Sequence, residues 1–107
     1  MNWFKRIFGK PEFTGDCVPR ALYQGTAWVY QKKLPVRFIV QNIKPGIDHI
    51  QCQVFYDDKW EWSSQWDDYV TIGNQEFKDA PIIKILTLEQ LFQERIDAEK
   101  AKNIGNK

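Results

Sequence analysis

The sequence predicts one small α+β domain, in which a helix packs on an antiparallel sheet of about four strands and a second helix follows the sheet. The chain has 107 residues, which is enough for one hydrophobic core. Between residues 36 and 86, short β-branched and aromatic runs alternate with turn residues, as in an antiparallel meander. Apolar residues at helical spacing lie on both sides of this region.

The opening segment predicts a short helix that packs on the domain. Basic residues flank its apolar stripe, which consists of Trp3, Phe4, Ile7 and Phe8. The stripe is too short to bind a membrane surface strongly, so packing is the favoured interpretation. The segment also lacks the uninterrupted apolar core of a secretory signal.

A longer helix is predicted from Asp16 to about Lys33. Pro19 favours a helix start at this point, because proline is tolerated in the first turn. Gly25 is a weak point in the helical pattern. The apolar positions at helical spacing are Val18, Ala21, Leu22, Ala27, Trp28 and Val29.

The strands come next and are separated by turn signals such as Pro45-Gly46 and Asp57-Asp58. The predicted strands are Val36 to Ile43, His49 to Tyr56, Lys59 to Trp62, Tyr69 to Ile72 and Ile82 to Leu86. After them, Thr87 and Gln90 match the capping box of a final helix. The apolar face of that helix contains Leu88, Leu91, Phe92 and Ile96. The domain is predicted over residues 1–102, with residues 103–107 as a frayed tail.

Charge and composition exclude several functions. The formal net charge is +1, with acidic and basic residues interleaved, so nucleic acid is not a predicted partner. No stretch is long enough to span a bilayer, and a cytoplasmic location is expected, or the host cytoplasm if the chain is phage-encoded. Two cysteines in that compartment are expected to be free thiols. Two cysteines and one histidine are too few for a structural zinc site, and neither metal nor cofactor is predicted.

Cys17 is the predicted nucleophile. It follows Gly15 and Asp16 at the predicted helix start, where the positive end of the helix dipole and the unpaired backbone N–H groups favour a thiolate. The single histidine, His49, is the predicted base. Strand alternation puts His49 on the face opposite Cys52, whose neighbours on its own face are Ile50 and Val54, and Cys52 is therefore predicted to be a core residue.

Four pieces of sequence in this order resemble a known family: Gly15-Asp16-Cys17, residues 34–40 (LPVRFIV), His49, and residues 57–60 (DDKW). The run from Gly15 to about Asp68, about half of the chain, resembles the transglutaminase-like branch of the papain-like cysteine peptidases. The resemblance implies the core fold of that superfamily and acyl chemistry at an amide or ester carbonyl of a protein or peptide substrate.

The resemblance also implies supporting residues. An acidic residue is expected to orient the imidazole, and Asp67 is the first choice, with Asp68 and Gln65 as alternatives. The backbone N–H of Cys17 and the side chain of Gln51 are the candidates for an oxyanion hole. Trp60 and Trp62 are expected to line the substrate groove.

A second hypothesis comes from a different functional class. In it, the chain is a catalytically silent domain of the same fold that binds or inhibits a protein partner through its aromatic surface. Thiol reactivity across pH separates the two hypotheses. The sequence gives no prediction of the oligomeric state.

Overall fold

The computed structural model describes residues 12–13 and 17–105, with side-chain environments described for residues 17–101. The elements are β1 (Glu12–Phe13), α1 (Cys17–Lys32), β2 (Val36–Lys44), β3 (Ile47–Tyr56), β4 (Lys59–Trp66), β5 (Tyr69–Ile72), β6 (Ile82–Leu86) and α2 (Leu88–Gly105). The helix predicted over Trp3 to Phe8 lies outside the described residues. No helix in the described part of the chain is long and apolar enough to cross a membrane.

The strands form one sheet in the order β5-β4-β3-β2-β6, and all of these neighbours are antiparallel. The predicted α+β class is therefore confirmed. The sheet has six strands where about four were predicted, because all five predicted strands join it and β1 pairs in parallel with the start of β3. A two-residue strand such as β1 is too short to show a period in the sequence.

Strand β4 extends to Trp66, four residues beyond its predicted end. The segment Ser63-Ser64-Gln65 has little intrinsic strand preference. It is held as a strand by pairing with β5, in which Ser63 lies opposite Ile72 and Trp66 lies opposite Tyr69. Tertiary pairing has overridden local propensity here.

Helix α1 covers one face of the sheet. Val18, Ala21 and Trp28 join a core cluster with side chains of β2 and β3, among them Phe38 and Cys52. Gly25 permits a close approach, because a Cβ atom built there would lie 2.5 Å from Cζ of Phe38. The glycine that weakens the helical pattern is therefore a packing contact.

Helix α2 begins with the predicted capping box. The Thr87 backbone N–H donates to Gln90 Oε1 at 2.8 Å, and the Gln90 N–H donates to Thr87 Oγ1 at 3.1 Å. Of the predicted apolar face, Leu91 is buried, whereas Phe92 and Ile96 are exposed. The helix continues to Gly105, into the segment predicted to fray, and the fraying itself stays a prediction.

Residues 73–81 cross the second face of the sheet, because they connect β5 at one edge with β6 at the other. Gln41 holds this connection by donating from Nε2 to the carbonyl oxygens of Phe77 at 2.7 Å and Ala80 at 3.0 Å. His49 lies opposite Gln41 in the sheet, and its ring contacts Phe77 edge-on with centroids 4.6 Å apart. The crossing segment therefore buries the strand face that carries His49.

Candidate active site

Cys17 is the first residue of α1 and is 4% exposed. Together with Ala21 and Gln24 it forms a stripe along the helix that makes one wall of a cavity of about 60 Å³. The remaining lining residues are Arg20, Ile50, Gln51, Cys52, Ser63, Ser64, Gln65, Asn74 and Glu76. The predicted position of Cys17 in the first turn of the helix is confirmed, and the thiol residue borders a mostly polar cavity.

The cavity lies at a gap in the strand pairing of β3. Strand β1 pairs with β3 at Ile47 and Asp48, and β4 pairs with it from Gln53 to Tyr56, so the stretch between them has neither as a partner. Gln51 lies in this stretch, where β2 is its strand partner on one edge, and its side chain spans the gap on the other. Its Nε2 donates to the carbonyl oxygens of Ser63 at 3.1 Å and Asn74 at 2.9 Å.

Gln51 also fixes the position of Glu76, since its Oε1 accepts the Glu76 backbone N–H at 3.0 Å. Both amide hydrogens of Gln51 are therefore engaged within the protein in this conformation. Its role in an oxyanion hole stays a prediction.

Glu76 is the carboxylate that contacts the histidine. Its Oε1 lies 2.9 Å from His49 Nε2, and its Oε2 lies 4.0 Å from Arg20 Nη1. The His49 side chain is 4% exposed, whereas that of Glu76 is 43% exposed. One glutamate thus connects the strand that carries His49 with the first turn of the helix that begins at Cys17.

Burial lowers the pKa of His49, and the positive charge of Arg20 acts in the same direction. The negative charge of Glu76 and its hydrogen bond raise the pKa of His49 and offset part of this effect. A lowered pKa favours the neutral imidazole, which is the form able to accept a proton.

The three residues predicted to orient the imidazole have other contacts. Asp67 and Asp68 form the turn between β4 and β5, where both are exposed and Asp67 has a positive φ of 55°. The Asp67 carbonyl accepts from Gln65 Nε2 at 2.9 Å, and the Asp68 carbonyl accepts from the Tyr23 hydroxyl at 3.0 Å. Of the three, Gln65 lines the cavity.

The aromatic residues predicted to form a groove belong to a different part of the sheet. Trp60 lies under the guanidinium of Arg37, 4.3 Å from its ring centroid, and packs edge-on against Phe55. Neither Trp60 nor Trp62 is among the residues that line the cavity. Their role in binding substrate stays a prediction.

Cys52 is fully buried in the core, as predicted. Burial raises its pKa to about 12, with a small opposing effect from a hydrogen bond with Ser63. The two cysteines therefore occupy different environments: Cys17 begins a helix, and Cys52 lies in the middle of a strand. The two cysteines do not form a disulfide with each other. Among the described residues, no group of three or more His, Cys, Asp and Glu side chains is arranged to hold a metal ion.

Sequence reasoning missed Glu76 and Arg20. Glu76 lies in the crossing segment 73–81, whose path depends on β5 and β6 being at opposite edges of the sheet. Arg20 follows Cys17 by three residues, and that spacing on a helix puts both on one face. The spacing between Cys17 and Arg20 was therefore a signal that the sequence contained.

Comparison of the chain with protein-family models, with curated proteins and with solved structures gave no match.

Proposed function

We propose that the protein is a thiol-dependent hydrolase or acyl transferase that acts on amide bonds, with Cys17 as the nucleophile and His49 as the base. One observation carries the proposal: the cavity that Cys17 borders is also lined by Glu76, whose carboxylate lies 2.9 Å from His49 Nε2. A nucleophile, a base and a carboxylate that orients the base are the parts that such chemistry requires. The sequence resemblance to the transglutaminase-like branch of the papain-like peptidases is part of the support for this proposal.

The proposal includes a path for the proton. Since Glu76 lies against Nε2 of His49, the thiol proton would go to Nδ1 as Cys17 Sγ attacks the carbonyl carbon. Collapse of the tetrahedral intermediate breaks the C–N bond, and His49 returns the proton to the leaving amine, which leaves a thioester on Cys17. Water then cleaves the thioester in hydrolysis, or a second amine cleaves it in transfer, and either reaction regenerates the thiol.

In this proposal Glu76 takes the orienting role that the sequence suggested for Asp67. The substrate is a protein or a peptide, and the reaction takes place in the cytoplasm, where the thiol of Cys17 stays reduced. The small volume of the cavity, about 60 Å³, supports a substrate that inserts one side chain and not an extended segment.

Alkylation by iodoacetamide tests the proposal. We expect the pH midpoint for labelling of Cys17 to lie below about 8.5, the ordinary thiol value, and to rise in His49→Ala. Cys17→Ala provides the control, because Cys52 is buried with a pKa of about 12 and should stay unlabelled. A midpoint at the ordinary value that His49→Ala does not move would refute the catalytic role.

One observation favours a second function, a silent protein-binding module. Trp66 and Tyr69 are directly paired across β4 and β5, and they are 78% and 71% exposed. Paired exposed rings are typical of binding surfaces. This function predicts an ordinary thiol titration for Cys17 and no effect of His49→Ala on it.

A further inference from the structure

The side of the cavity away from the thiol contains a chain of buried hydrogen bonds that fixes one amide. Trp28 Nε1 donates to Ser63 Oγ at 2.8 Å, and Ser63 Oγ donates to Gln24 Oε1 at 2.7 Å. An indole nitrogen can only donate, so Ser63 accepts from Trp28 and directs its own hydrogen to Gln24. The oxygen of the Gln24 amide is therefore held by Ser63, and its nitrogen Nε2 is the atom left to face Gln65 in the cavity lining. Gln24 is 7% exposed.

On the opposite wall, the side-chain amide of Gln65 is fixed with its oxygen toward Gln24. Gln65 Nε2 donates to the Asp67 carbonyl oxygen at 2.9 Å, which leaves Gln65 Oε1 facing Gln24. Gln24 Nε2 and Gln65 Oε1 are 3.5 Å apart, longer than the usual 2.7–3.2 Å range for a hydrogen bond of this kind. The two groups are thus a donor and an acceptor side by side, each oriented by its other end and only weakly bonded to the other.

We propose that this pair binds a primary carboxamide of the substrate, such as a glutamine or asparagine side chain next to the bond that reacts. The carboxamide oxygen accepts from Gln24 Nε2, and its NH₂ group donates to Gln65 Oε1. This inference rests on the proposed function, because it names a substrate feature read by the same cavity. A carboxylate could not donate to Gln65 at neutral pH, and an apolar side chain would leave both amides unpaired.

Size and position fit this role. A volume of about 60 Å³ holds roughly four water molecules, so a carboxamide of three heavy atoms has room. Gln24 follows Cys17 by seven residues, and two turns of α-helix separate them by about 10 Å. The bound carboxamide is therefore not the group attacked by Cys17. It belongs to a neighbouring residue of the substrate, and the pair determines specificity.

Nuclear magnetic resonance titration tests the proposal with three blocked amino acids that differ only in the side-chain end: N-acetylglutamine, N-acetylglutamate and N-acetylmethionine N-methylamides. We expect the glutamine probe to bind about tenfold more tightly than the other two, and to shift the side-chain amide signals of Gln24 and Gln65. Equal binding of the three probes, or no saturable binding of the glutamine probe, overturns the proposal.

Variants assign the effect to the pair. Gln24→Met and Gln65→Met should each reduce binding of the glutamine probe about tenfold. Gln31→Met is the matched control, because Gln31 is exposed on the same helix, and it should leave binding unchanged. Gln65 is only partly buried, so Gln65→Met provides a folded test even if Gln24→Met does not fold. Unchanged preference for glutamine in Gln65→Met refutes the acceptor role.

The outcome separates this inference from the proposed function. Selective binding of the glutamine probe together with an ordinary thiol titration supports the carboxamide site and refutes catalysis by Cys17. An activated thiol without preference among the probes supports catalysis and refutes the carboxamide site.

Discussion

Ser63 contributes both to the stability of the domain and to the geometry of the cavity. Its hydroxyl accepts from Trp28 Nε1 and donates to Gln24 Oε1, and all three residues are buried. The substitution Ser63→Ala removes one atom and leaves a buried donor and a buried acceptor without their partner. Each unsatisfied buried group costs about 1–3 kcal/mol, and Gln24 can recover part of its loss by turning toward the cavity. We therefore expect the free energy of unfolding to fall by about 2–4 kcal/mol.

Urea denaturation followed by tryptophan fluorescence measures this change, with Ser64→Ala as the control. Ser64 is the next residue on β4 and also lines the cavity, but neither of the two bonds depends on it. Trp28→Phe removes the indole donor of the same hydrogen bond. In the double variant Trp28→Phe with Ser63→Ala, the stability losses of the two single substitutions should therefore not add. A loss below about 0.5 kcal/mol in Ser63→Ala would show that the two bonds contribute no net stability, and would refute the argument that Ser63 fixes the Gln24 amide.

Two further predictions concern His49. Glu76→Gln should slow alkylation of Cys17 at pH 7 about fivefold, because the partly exposed carboxylate stabilises the imidazolium by about 1 kcal/mol. Asp67→Asn is the control and should leave the alkylation rate unchanged. Equal effects of the two substitutions would contradict the role of Glu76. The lowered pKa of His49 means that the unfolded chain binds a proton more readily than the folded one, so stability should be fully present above pH 6.5 and decline as the pH falls below it. Urea midpoints measured across this range should show the decline in the wild type and a smaller one in His49→Gln; equal slopes would count against a neutral buried histidine.

Local sequence pattern was sufficient to predict most of the fold. The strands at Tyr69–Ile72 and Ile82–Leu86 have their predicted bounds, and the capping box at Thr87 is present, because alternation and capping depend on neighbours in the chain. Strand β4 was predicted too short because Ser63 to Trp66 are held by a partner strand and not by their own propensity. Pairing between distant segments therefore determines strand bounds that local pattern does not.

For the candidate site too, local sequence pattern could identify some residues and not others. Cys17 and His49 could be selected because their chemistry and their position in a helix or strand are visible in the sequence. Glu76 could not be selected, because it lies in an irregular segment whose neighbours depend on the order of strands in the sheet. Asp67 was chosen by its distance along the chain from Trp60, yet the turn that contains it directs its carbonyl to Gln65.

Gln51 explains why the acid beside His49 comes from so distant a segment. The gap between β1 and β4 leaves one edge of β3 without a strand partner over part of its length, and buried backbone groups beside such a gap require hydrogen bonds from elsewhere. The Gln51 side chain spans this gap: it donates to the carbonyl oxygens of Ser63 and Asn74 and accepts the backbone N–H of Glu76. The bonds to Asn74 and Glu76 tie the crossing segment to the sheet beside His49, which the Glu76 carboxylate contacts. The position of Glu76 therefore depends on the gap between β1 and β4, so it could be found only once the strand order was known.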